Sequence, residues 1–487
     1  MASNRRRFLK NTGLGFLYLQ LSGLITSGCE SNRKPNIVFI LADDLGWNNP
    51  GFMGSKYHET PNIDCLASQS ITFTNAYTNA PNCAPTRASI MTGQYTPRHG
   101  IYTVNNSDRG QSSLRKLIPI KNKTILDKEK FTIAEMLKQA GYISASIGKW
   151  HLGDDPEFGP EGQGFDKNVG GNRAGMPENY FSPYNNANLT DGPPGEHLTE
   201  RLTNEAITFI EKNKNQPFFL YLPYYAVHTP LQAKPDIIEK YKQKPGTKAH
   251  NNPIFAAMLE SVDQGVGKIM DKLEALNLSE NTMVIFFSDN GGVRKINSME
   301  PLRGGKGMLY EGGIRVPLTI RWPNHIDPGT TCDVPVIGID FFPTLMEIAG
   351  VKTPEGQVID GLSLLPLFSG EKRLDRQAIF WHFPAYLQGK AEGARDPFFR
   401  TRPGGAVRAG DWKLIEYFED SMLELYNLEN DPGETDNLSK KMPEKTKELH
   451  DTLIQWRQSI KAPVPSELNP NFQIPISNEI PMTQNPK

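Results

Sequence analysis

The chain has 487 residues, 38% of them hydrophobic, with 53 Lys and Arg against 54 Asp and Glu, for a formal net charge of −1. Such length and apolar content suit one large buried core with a smaller companion domain. The even charge balance excludes general attraction to nucleic acid or to an anionic membrane, because phosphate binding of that kind needs clustered lysine and arginine.

In chain order, residues 1–29 read as an export signal. "MASNRRRFLK" carries Arg5, Arg6 and Phe8 in a twin-arginine-like arrangement, and the apolar stretch behind it is too short and too glycine-rich for a membrane span. This predicts export from a bacterial cytoplasm to the periplasm or beyond. "ITSGC" is similar to a lipoprotein-processing box with Thr26 where leucine is usual, so two outcomes stay open: a lipid anchor on Cys29, or simple cleavage nearby. Any membrane attachment would run through Cys29 alone.

"NIVFILADD" (36–44) and "TMVIFFSDN" (282–290) are continuous apolar runs that end in acidic residues, the pattern of central parallel strands covered on both faces. "ISASIGKW" (143–150) and "PFFLYLPYYAVH" (217–228) predict two more. Between the strands, Thr60 and Pro61 open one helix. Thr132 and Glu135 form a capping box on a second, which Gly141 stops. In 257–276, Met258, Val262, Val266, Ile269, Leu273 and Leu276 share one helical face. The alternation predicts an α/β fold with helices on both sides of the sheet, which binds ligands beyond the carboxyl ends of its strands. The Gly-, Pro- and Asn-rich stretch 171–195 reads as a loop suited to substrate contacts.

A domain of residues 34–370 is followed by a change of pattern. Residues 405–439 alternate apolar and polar around a Gly410–Asp411 turn and a second acidic turn, and 441–461 reads as an amphipathic closing helix. A small C-terminal domain over 371–461 with an antiparallel sheet is expected, and no structure is expected for the proline-rich tail 462–487.

Of the four cysteines, Cys29 belongs to the processing stretch; Cys65, Cys83 and Cys332 are an odd number with no CxxC pair, which excludes a thiolate metal site or a disulfide framework. Asp43, Asp44, Asp289 and Asn290, at two strand ends, offer an all-oxygen ligand set that suits a hard cation such as calcium or magnesium rather than zinc. Taken singly, the Asp43–Asp44 pair is also what a solvated strand terminus looks like.

The conjunction of stretches decides. "CAPTRASIMTG" (83–93) resembles the signature of the formylglycine-dependent sulfatase family, arylsulfatase-like members of the alkaline phosphatase superfamily. Around it stand "NIVFILADDLGWNNPGFMG", "TPNIDCLA", "GKWHLG", "VHTP", "FFSDNGG" and "RGGKGMLYEGGIRVP" in that family's order, so the resemblance covers roughly residues 34 to 440. Thr86 departs from a common serine and Cys65 from a frequent arginine.

The resemblance implies an alkaline-phosphatase-like fold and an exported enzyme that hydrolyses sulfate esters, with a sulfated glycan as the expected substrate. It implies that a maturase oxidises Cys83 to formylglycine (3-oxoalanine). One hydroxyl of the hydrated aldehyde attacks sulfur, and loss of a proton from the other expels sulfate. Further implied are Ca²⁺ on Asp43, Asp44, Asp289, Asn290 and the oxygen that replaces the Cys83 thiol; Arg87 and Lys149 steadying the diol; Lys306 on sulfate oxygens; His151 as base; and His228 as acid for the leaving alcohol. His382 is a candidate to reach the pocket from the second domain, and His99 is left open beside it. His58, His197, His250, His325 and His450 read as structural. Two other readings stay open, a phosphonate or phosphodiester hydrolase of the same superfamily and a non-catalytic glycan-binding relative.

Overall fold

The computed structural model describes residues 34–353 and 355–468. The expected export signal, its Cys29, and the tail beyond residue 468 fall outside the described residues. Eight strands form the main sheet, in the spatial order Thr330–Cys332, Ile71–Phe73, Leu318–Arg321, Thr282–Ser288, Asn36–Ala42, Phe218–Pro223, Ile143–Ile147 and Lys167–Val169. The five from Thr282–Ser288 to Lys167–Val169 run parallel, whereas Leu318–Arg321 is antiparallel to both its neighbours. The expected mostly parallel sheet is therefore present.

The continuous apolar runs follow from burial on both faces. Ile37, Phe39 and Leu41 enter one core with Phe219, Tyr221 and Phe287; Val38, Ile40 and Ala42 enter the other with Leu220, Leu222 and Phe286. The first core is covered by helices Cys83–Thr92, Ile133–Gln139 and Phe341–Ala349, and the second by Leu198–Asn213, Pro253–Ala275 and Pro61–Ser68. The capping box is formed: the Thr132 side chain accepts from Glu135 N, and the Glu135 carboxylate accepts from Thr132 N at 2.8 Å. Helix Pro253–Ala275 buries Met258, Val262, Val266, Ile269 and Leu273 on the face the sequence marks.

The C-terminal sheet orders Ile379–Phe383, Gly404–Ala409, Trp412–Tyr417 and Met422–Asn427, all antiparallel, with Gly410 at φ 55° in the hairpin turn. A left-handed residue matches that two-residue turn to the twist of its strands. Helix Pro443–Ser459 closes one face through Leu449 and Leu453. The other face shares a core with the large sheet's loops, where Trp381, Ile415 and Tyr426 meet Tyr77, Tyr310 and Ile314. At this joint Lys413 Nζ donates to Glu311 (2.9 Å) and Glu434 (2.8 Å), so the two parts are also tied by buried charge. The start of the tail differs from expectation: Ser466–Glu467 pairs antiparallel with Leu117–Ile118.

Candidate active site

Parallel strands end on one edge of a sheet, and four of them deliver the polar residues. Ala42 pairs with Ser288, so Asp43 and Asp44 leave the sheet beside Asp289 and Asn290. Leu41 pairs with Pro223, and the chain beyond that strand carries His228. Lys149 and His151 follow strand Ile143–Ile147. Asp44 (φ 62°) and His151 (φ 65°) take left-handed backbone conformations that bulky residues rarely adopt.

Cys83 is the first residue of helix Cys83–Thr92, all ten residues of which are buried. Asn82 before it is extended (φ −155°, ψ 170°), so the chain turns sharply and aims the helix's positive end at the strand termini. The Cys83 thiol donates to Asp43 Oδ1 (3.6 Å) and accepts from Lys306 Nζ (3.4 Å). Thr86, one turn on, donates to the carbonyls of Ala80 and Asn82, a local capping role that does not involve the cavity.

The charges interlock. Lys149 Nζ lies 2.6 Å from Asp43 Oδ2, and Lys306 Nζ lies 2.6 Å from Asp44 Oδ1. Arg87 donates from Nε (2.9 Å) and Nη2 (2.7 Å) to Asp289 Oδ2 and from Nη1 to the Lys149 carbonyl. Burial pushes the Asp43 carboxyl up, but Lys149, then His228, Arg87 and Lys306 together hold it well below the usual carboxylate range. Asp289 is pushed up by burial and by the Asp43 charge, despite Arg87. Burial raises the Cys83 thiol to about 12, so the unmodified side chain is a neutral thiol and a poor nucleophile. Burial also works against the Lys306 ammonium, yet Asp44, with Cys83, Asp43 and Asp289 behind it, outweighs burial and keeps the charge.

The two histidines differ in their anchoring. His228 Nδ1 lies 2.7 Å from the Thr229 carbonyl, which assigns the proton there and leaves Nε2, 3.7 Å from Asp44 Oδ2, to face the site. His151 is held by its backbone N–H on the Asn172 carbonyl, and its Nδ1 is buried with no hydrogen-bond partner. Burial lowers the pKa of both rings.

The residues fit a hard cation. Ligand atoms of Asp43, Asp44, Cys83 and His228 lie within 4.8 Å of one another. Asn290 donates from Nδ2 to Asp44 Oδ1 at 2.8 Å while its Oδ1 is buried without a donor. A buried acceptor left without a donor is suited to ligate a cation. Asp289 stands next to this group, with Oδ1 accepting from Asp44 N and Oδ2 taken by Arg87.

Cys83, His151, His228 and Lys306 line one cavity of about 550 Å³. Arg173 and Met176, from the loop expected to touch substrate, form part of its wall. His382 does not: it is buried, and its Nε2 lies 2.8 Å from the Pro463 carbonyl. His99 is likewise buried, with Nε2 3.0 Å from Ser89 Oγ. Sequence reasoning missed Arg109 and Arg400, which also line the cavity. Their signal was weak, since each is a single arginine outside any motif and their juxtaposition depends on distant segments. Cys65 is exposed, and Cys332 and Cys83 are buried; all three are free thiols.

Comparison with known proteins accords with this geometry. The family model "Sulfatase" matches residues 35–351, and the model "N-sulphoglucosamine sulphohydrolase, C-terminal" matches 305–459. A protein from Formosa agariphila named "Sulfatase" is 35% identical over 95% of this chain and 94% of its own. Human N-acetylgalactosamine-6-sulfatase is 31% identical over 92% of this chain and 90% of its own. Among solved structures, Ps i-CgsB in complex with k-i-k-neocarrahexaose superposes with a TM-score of 0.73 at 31% identity, covering 87% of this chain and 93% of that one.

Proposed function

The chain belongs to the sulfatase family, and from that membership we propose that it is an exported enzyme that hydrolyses sulfate esters of a sulfated glycan, using formylglycine at Cys83 and one Ca²⁺. The observation that carries the reading is the meeting, on one cavity, of a helix-terminal Cys83, the Lys306 ammonium and two histidines beside a carboxylate cluster. The saccharide class is supported by the relatives, one named for a sulfated amino sugar and another solved with a neocarrahexaose.

Asp43, Asp44, Asp289 and Asn290 would hold the cation, which supplies a positive centre to lower the pKa of a bound hydroxyl and screen sulfate charge. A formylglycine at residue 83 supplies a hydrated aldehyde, a nucleophile whose ester can break down without water attacking sulfur. The remaining roles belong to side chains already in place. Lys306, kept protonated by Asp44, presents an ammonium to sulfate oxygens at the position where negative charge must be met. Arg87 and Lys149 hold Asp289 and Asp43 in place, so each positions a carboxylate while adding positive field at residue 83. His228, with its Nδ1–H anchored on the Thr229 carbonyl, would donate from Nε2 to the departing alcohol as the imidazolium, the form that burial opposes and that the Asp44 and Asp43 charges favour. His151, on the same wall and kept neutral by burial, is suited to accept a proton.

The test is peptide mass spectrometry of active enzyme alongside turnover of a sulfated saccharide. Formylglycine at residue 83, and no turnover by a folded Cys83→Ala variant, are expected. Full activity with an unmodified Cys83 would overturn the proposal.

A further inference from the structure

Among the described residues, two arginines of the cavity wall form no ion pair, although the Asp44 charge reaches Arg400 from beyond ion-pair distance. Arg109 lies in the loop after Thr103, and Arg400 in the short strand Phe399–Thr401; isolated bridging of Asp108 with Tyr386 brings the first segment to the hairpin that carries the second. Both line the same cavity as Cys83 and His228. Among the described residues, Arg109 makes one hydrogen bond, from Nη2 to Thr103 Oγ1 at 3.3 Å, and Arg400 one, from Nη1 to the Lys306 carbonyl at 3.5 Å. The Nε of each is buried with no acceptor. Among the described residues no carboxylate reaches ion-pair distance of either, although the same hairpin supplies one nearby: Arg402 pairs with both Asp396 and Glu419.

The arrangement is shaped. A Cβ at Gly307 (φ +87°) would lie 2.6 Å from Arg400 Cδ, so the missing side chain at residue 307 makes room for the arginine stem beside Lys306. Arg400 and Lys306 also line an adjoining cavity of about 320 Å³, so the open space continues past them. Partial burial of two like charges without a partner is unfavourable in the empty protein and becomes favourable when an anion arrives. On the reading above, Lys306 and the cation ligands take the scissile sulfate, which leaves the guanidinium pair for a different group.

We propose that Arg109 and Arg400 form a second anion site that binds a sulfate or carboxylate on the same sugar as the scissile sulfate or on its neighbour, which makes the substrate a saccharide bearing at least two negative groups. This rests on the sulfated-glycan reading above. The test compares kcat/KM on three saccharides sharing one scissile sulfate: one with no other charge, one with a second sulfate, and one with a carboxylate. Charge-assisted pairing predicts a preference of about ten- to a hundred-fold for whichever dianion the site accepts, and the two dianions distinguish the sources. R109Q and R400Q should each shrink that ratio, chiefly through KM, and the double variant should bring it close to one. Tm should hold or rise in both single variants, because neither arginine gives up an ion pair. Equal efficiency on all three saccharides in the wild type would overturn the second site alone. A fall in Tm with equal losses on all three in R400Q would overturn it too, by assigning that arginine to packing. Release of sulfate from none of them would overturn the reading beneath it.

Discussion

Replacing His228 by alanine separates leaving-group chemistry from the rest of the reaction. The ring is fixed by Nδ1 on the Thr229 carbonyl at 2.7 Å, so Nε2 is the one nitrogen available to the substrate oxygen. Neighbouring groups are poor substitutes. Lys306 is bound to Asp44 at 2.6 Å and its ammonium is held well above the usual lysine range, so it gives up a proton reluctantly. The variant should therefore lose the full value of general acid catalysis on a sugar sulfate, roughly 10²- to 10⁴-fold in kcat, or about 3 to 5 kcal/mol of barrier. A nitrophenyl sulfate has a leaving group that departs without a proton, and its loss should stay below about tenfold. His151→Ala, which removes the proposed base, should slow both substrates alike. Steady-state kinetics of both variants on both substrates reads this out. Equal losses for His228→Ala would refute the assignment.

Chelation should lower both activity and Tm, with calcium restoring them, because Asp43, Asp44 and Asn290 would be left facing one another; stoichiometric zinc in a metal analysis would contradict the all-oxygen site. Arg87→Met should destabilise by about 3 to 5 kcal/mol in chemical denaturation, since Arg87 and Asp289 are 1% and 0% exposed and the carboxylate would lose its partner. Adding Asp289→Asn should recover part of that loss. Away from the site, Asp263 accepts from Asn62 N (2.9 Å) and Ile63 N (2.8 Å), and burial raises its carboxyl to about 6. The folded state thus holds this proton more tightly than the unfolded chain. The associated stability is present below about pH 4, is lost as pH rises through about 6, and amounts to about 3 kcal/mol. Unfolding measured across that window should show a wild-type slope that Asp263→Asn flattens.

The parallel strands were legible because burial on both faces demands apolar residues at every position, and NIVFILA and TMVIFFS satisfy that demand. The polar residues around Cys83 were legible for a related reason: parallel strands deliver their carboxyl ends to one edge, so Asp43, Lys149, His228 and Asp289 had to be near one another. The Gly410–Asp411 hairpin carried its own turn chemistry. Other features had no local signal. Ser466–Glu467 pairs over two residues, too short for any periodicity. His382 sits in an apolar strand, where a ring aimed at the cavity and a ring satisfied by the Pro463 carbonyl leave the same sequence. Arg109 and Arg400 are brought together by a loop and a hairpin nearly three hundred residues apart, and the feature that distinguishes them, the want of a carboxylate at ion-pair distance among the described residues, exists only in three dimensions.

Ion-chromatographic measurement of free sulfate, after purified, maturase-treated protein acts on sulfated saccharides, tests the central claim most directly. The account predicts sulfate release that depends on Cys83 and exceeds hydrolysis of an aryl phosphodiester offered side by side. Phosphodiester hydrolysis without any release of sulfate would contradict it.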